Sequence, residues 1–86
     1  MKEHLYVVFL GGKLPPNRVG EDHEIVFVVA NSQFEAKEKA KEKWQGHTTI
    51  GLHIDAIKRI DKVDNYKIII EKTRENKSLN KFFIEK

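Results

Sequence analysis

The 86-residue chain predicts a small α+β domain: a mixed or antiparallel sheet of about four to five strands with one main helix on one face. Three observations carry this. Two nearly continuous apolar segments rich in β-branched and aromatic residues, Leu5–Leu10 and Ile25–Ala30, are too short to cross a membrane and read as buried strands. A capping pattern at Ser32-Gln-Phe-Glu35 opens a stretch with apolar residues four apart. The later segments, Leu52–Ile60 and Tyr66–Glu71, then return to strand composition. The predicted order is β-β-α-β-β, with a tail strand or short helix after it.

Taken in order, His4–Leu10 reads as a central strand covered on both faces, because a half-exposed strand would alternate. Gly11 and Gly12 are expected to turn the chain, and Pro15-Pro16 to stiffen the loop that runs on to Asp22. Glu24–Ala30 is the second strand. The helix begins after Ser32, with the Ser32 hydroxyl accepting from the Glu35 amide and the Glu35 carboxylate reaching back to the Ser32 amide. It is expected to reach Trp44 or Gln45 and to stop at Gly46, with Ala36, Ala40 and Trp44 forming a narrow apolar stripe and Phe34 near its start. In Leu52–Ile60, period-two alternation puts Leu52, Ile54, Ala56 and Ile60 on one face, with Lys58 the exception. His53, Asp55, Ile57, Arg59 and Asp61 fall on the other. Val63-Asp64-Asn65 predicts a turn that makes this strand a hairpin with Tyr66–Glu71.

Composition limits the function. There is no cysteine, which excludes disulfide scaffolds and thiolate zinc modules. No segment is long and apolar enough for a membrane span or a signal peptide, so a cytoplasmic protein is expected. The net charge of +3 is uneven: residues 1–66 hold ten basic and ten acidic side chains, and residues 67–86 hold six against three. The surplus therefore belongs to the end of the chain, which divides into a single domain over 1–72 and a basic extension over 73–86. Helix lysines 37, 39, 41 and 43 alternate with glutamates, as a solvated face does. Nucleic acid is accordingly disfavoured as a partner.

Candidate chemistry centres on His53-x-Asp55, whose side chains share one strand face about 6.5–7 Å apart. His23 stands at the mouth of the second strand and is a possible third member. Imidazoles and carboxylates serve in acid–base work and in ligand or metal binding, whereas the alternative is a hydrogen-bonded pair on a half-polar sheet face. No metal ligand set and no cofactor are assigned. Gly11 and Gly12 invite comparison with phosphate loops, but prolines follow where a helix would have to start. Trp44 either caps the core or rims a pocket with the segment after it. Both apolar strands need cover on two faces. One helix supplies one cover, and the second is either the Phe82-Phe83-Ile84 cluster or, the favoured reading, a second copy of the chain.

Together, Leu5-Tyr-Val-Val-Phe-Leu-Gly-Gly12, His23-Glu-Ile-Val-Phe-Val-Val29, Trp44-x-Gly46, Leu52-His-Ile-Asp55 and Val63-Asp-x-Tyr66 resemble the bacterial family called domain of unknown function 1543. The resemblance spans about residues 5–71. It implies a small bacterial protein of the cytoplasmic type, without an established activity, in a family where some members carry two copies of the domain. Glu24 stands where Asp is usual, Gln45 where an aromatic is common and Asn65 where Gly is common. The reading that follows is a non-enzymatic homodimeric module that binds a small molecule or a protein. The alternative is a small enzyme or a metal or ligand site on His23, His53 and Asp55, with Gly11, Gly12 and Trp44 beside it.

Overall fold

The computed structural model describes residues 2–74. Strands β1 (His4–Lys13), β2 (Glu21–Ala30) and β3 (His53–Ile60) form an antiparallel sheet in the order β2-β1-β3, and helix α1 (Gln33–Glu42) packs on one of its faces. A separate ribbon pairs β4 (Lys62–Val63) with β5 (Tyr66–Lys67). The strands are therefore divided between a three-stranded sheet and a two-stranded ribbon, where one sheet was expected. The segment 73–86 is described only as far as residue 74, so the Phe82-Phe83-Ile84 cluster and the expected tail element lie outside the described residues.

Register explains the core. In β1–β2 pairing Tyr6 faces Val28, Val8 faces Val26 and His4 faces Ala30. Alternation then puts Tyr6, Val8, Leu10, Val28 and Ala30 under α1, where Ala36 and Ala40 complete the buried cluster. Two alanines allow the helix axis to approach the sheet closely. Val26, Trp44, Leu52, Ile54 and Ile57 pack around this centre. The Ser32 hydroxyl accepts from the Glu35 amide at 3.1 Å, as expected of an N-cap. The Glu35 carboxylate, however, accepts from the Asn31 amide at 2.7 Å, one residue before the predicted donor. The helix closes at Lys43, short of Trp44, and Phe34 is 74% exposed, so it is not part of the stripe.

Two predictions about β1 and β3 change. Gly11 and Gly12 are not a turn: β1 runs on through Lys13 and pairs with β2 as far as Glu21, so the loop is only residues 14–20. Side chains crossing the strand explain both glycines. A Cβ on Gly11 would lie 2.7 Å from His53 Nε2, and one on Gly12 would lie 2.6 Å from the Trp44 ring. In β3 the register slips between Phe9 and Leu10, which face Ala56 and Ile54. Asp55 is the extra residue of this bulge, and it inverts the alternation beyond it. Ile57 thus joins Ile54 under the helix, whereas Ala56, Lys58 and Ile60 pass to the other face. The hairpin expected between Leu52–Ile60 and Tyr66–Glu71 is confined to β4 and β5, with Asp64 and Asn65 at φ 51° and 69° in the turn. Beyond the ribbon the Ile68 amide reaches back to the Asp61 carbonyl at 2.9 Å.

Within the described residues β1 is central, as predicted, but it is covered on one face. Phe9, Ile25 and Phe27 are 42%, 60% and 55% exposed on the face away from α1.

Candidate functional site

The predicted site residues divide between the two faces. On the open face, the β1 register brings Gly11 opposite both His23 of β2 and His53 of β3. The bulge turns the Asp55 carboxylate into the same row. Asp55 Oδ1 lies 3.0 Å from His53 Nε2, and Asp55 Oδ2 lies 3.8 Å from His23 Nε2. Thus His23, His53, Asp55 and Gly11 come together. Glu21 joins them, its Oε1 3.3 Å from His23 Nε2. Sequence reasoning missed Glu21 because residues 11–22 read as loop; had β2 been extended by one pleat, Glu21-x-His23 would have shown the same i, i+2 spacing as His53-x-Asp55.

The row is a chain of contacts, His53 to Asp55 to His23 to Glu21. Among the described residues no group of three or more His, Asp or Glu side chains is gathered so as to hold a metal ion. His53 is also held from behind, its Nδ1 lying 2.9 Å from the Gly51 carbonyl, while Gly51 occupies the left-handed region at φ 79°. A carbonyl and a carboxylate both need a donor, so the two contacts are satisfied together only by the doubly protonated ring. The hydrogen bond to Gly51 and the charges of Asp55 and Glu21 accordingly raise the His53 pKa above 6.5, against partial desolvation. In that doubly protonated form His53 has no free lone pair. A general base of the usual kind needs one, with the carboxylate on the opposite nitrogen.

Gly12 and Trp44 are elsewhere, on the helix side. The Trp44 ring lies over Gly12 and its Nε1 donates to the Thr48 carbonyl at 2.9 Å. Nearby, the Gln45 amide donates to the Glu24 carboxylate, at 3.0 Å to Oε2. Trp44 packs against the core and also lines a shallow hollow with Glu24, Val26 and Gln45. The larger groove, about 1190 Å³, lies at the opposite end of the sheet between Val29, Ile60 and the 67–73 segment, and none of the predicted site residues lines it. No helix among the described residues is long and apolar enough to cross a membrane.

Among the described residues, these features define a small α+β domain with one covered sheet face and one open face that ends in a histidine–carboxylate row. The chain belongs to the family described as Domain of Unknown Function (DUF1543), whose model matches residues 18–70. It is also similar to the crystal structure of a protein Il1583 from Idiomarina loihiensis. That likeness has 35% identity and a TM-score of 0.67, and covers 77% of this chain and 44% of that one. The match therefore spans less than half of the solved protein's length. No curated protein matches the chain.

Proposed function

We propose that this is a non-enzymatic interaction module that forms a homodimer through the open face of its sheet and, in that state, serves as a bacterial cytoplasmic binding domain. The observation that carries the reading is the apolar surface of Phe9, Ile25 and Phe27, with half-buried Leu5, Val7 and Val29 in adjacent positions on the same face. Exposed apolar side chains in contiguous rows favour association, whereas single ones are ordinary. The sheet edges are poorer candidates. On β2 the Lys39 and Lys43 ammonium groups donate to the Val29 and Phe27 carbonyls, each at 2.6 Å. On β3 the bulge interrupts the ladder, and two-fold pairing centred on Lys58 would set Lys58 against its own copy. Net charge offers no obstacle, since residues 1–66 hold ten basic and ten acidic side chains.

Light scattering at micromolar concentration tests the reading: the expected mass is that of a dimer, and Phe27→Glu is expected to give a monomer. A wild-type monomer overturns it. A second reading, a small-ligand or enzyme site on His23, His53 and Asp55, is favoured by their convergence over Gly11. The donors follow one another along the row, which suits a ligand bridging it better than a single ion. Zinc chloride is the simplest probe of the metal form. Stoichiometric shifts of the His23 and His53 ring resonances, lost in Asp55→Asn, support that form; unshifted rings remove it.

A further inference from the structure

We propose that the row Glu21–His23–Asp55–His53 is a proton-operated clasp that ties β2 to β3 across Gly11 and thereby regulates how strongly the open face takes a second copy. The regulatory half rests on the homodimer reading above, and the clasp itself does not. The two outer strands share no backbone hydrogen bonds with each other, because β1 separates them. At this end of the sheet the side-chain row joins them directly: 3.0 Å from His53 to Asp55, then 3.8 Å to His23 of β2, then 3.3 Å to Glu21. Gly11 makes the crossing possible, since any Cβ there would meet the His53 ring and the Asp55 carboxylate.

The charged groups around His53 come from all three strands. Asp55 and Glu21 both act on it, and His23 lies beyond Asp55. From β1, Lys13 pairs in register with Glu21, and its side-chain carbons lie beside Gly51. With a proton on each nitrogen, His53 donates to the Gly51 carbonyl and to Asp55, and the carboxylate pair faces a cation. When His53 loses one proton, one of its two acceptors faces a lone pair instead. The ring then has no orientation that satisfies both contacts, so Asp55, which carries the contact to His23 of β2, loses the donor that fixes it from the β3 side.

Phe9, Ile25 and Ala56 form the next row on the same face, about 7 Å along the strands. The clasp therefore fixes one rim of the surface on which a second copy would sit. Its protonated form also presents that partner with fewer uncompensated carboxylates, which favours burial. Association is accordingly strongest while His53 holds both protons and weakens as pH rises through its titration.

The experiment follows the His53 ring by NMR and the mass by light scattering, from about pH 5 to about pH 8.5, on wild type, Asp55→Asn and His53→Gln. The clasp predicts that His53 titrates above 6.5 and moves down in Asp55→Asn. Regulation predicts a dimer whose mass falls through the same titration in wild type, and a mass independent of pH in His53→Gln. A His53 that titrates at its ordinary value, or that ignores Asp55→Asn, overturns the clasp whatever the mass. A monomer at every pH overturns the homodimer reading and leaves the clasp to be judged on the ring alone. A dimer indifferent to pH overturns the regulatory link.

Discussion

Adjacent Gly11 and Gly12 are needed for two different neighbours on opposite faces of one strand, and the difference is measurable. Gly12→Ala sets a methyl 2.6 Å from the half-buried Trp44 ring, which is packed and anchored to Thr48. Crowding of that kind is expected to cost about 1–3 kcal/mol in chemical denaturation. Gly11→Ala meets His53 and Asp55, which are partly exposed and can swing outward. Its expected loss is smaller, and the His53 titration should fall toward its ordinary value. Stability also depends on pH through this ring. Because folding raises the His53 pKa above 6.5, its contribution is full below that value and is lost as pH rises through the folded-state pKa. Melting temperature followed upward from about pH 6 should therefore decline in wild type more than in His53→Gln; equal slopes would refute the argument. These residues were legible as types and spacings: His53-x-Asp55, His23 and Trp44 all stand out in the chain. The glycines were misread because a double glycine followed by prolines looks like a turn, and only the side chains above and below show why a strand requires them there.

Among the elements, α1 is the one most completely encoded by its own residues. Ser32 caps it, and Ser32→Ala is expected to cost about 1 kcal/mol, with Ser32→Gly costing only a few tenths, by thermal or urea unfolding. Its lysines have a role that helix periodicity does not reveal. Lys39 and Lys43 extend to the β2 edge and satisfy carbonyls there. β3 shows the opposite case. Its alternation reads from Leu52 with Lys58 as the exception, yet the bulge at Asp55 inverts the faces from Ala56 onward. Period-two reading assumes an unbroken pleat, and one extra residue reverses every later assignment. Ile57, read as facing away from the core side, is in fact packed against it. The same bulge is what delivers Asp55 into the row over Gly11.

At the scale of the whole fold, a single helix among the described residues covers one face of a three-stranded sheet, and the core they form is correspondingly small. Leu10 and Val8 are its largest fully buried side chains. Leu10→Ala is expected to cost about 2–5 kcal/mol, a large share of what a domain of this size has in total. On the other face, Ile25→Lys is expected to abolish self-association while leaving the melting temperature of the monomer nearly unchanged, because Ile25 is already mostly exposed. A monomer destabilised by this change would mean that Ile25 packs inside its own chain. From the sequence alone come the α+β class, the order of the main elements, the helix cap, the family resemblance and the demand of two apolar strands for cover on both faces. All of these rest on local spacing, capping chemistry and composition, which neighbouring residues express without help from distant ones. Tertiary structure decided the rest: which strands flank β1, that the strands divide into a sheet and a ribbon, and that Glu21, His23, Asp55 and His53 form one row. Strand order and register fix those relations, and both depend on residues far apart in the chain, such as Leu5 and Ile60, coming to face each other.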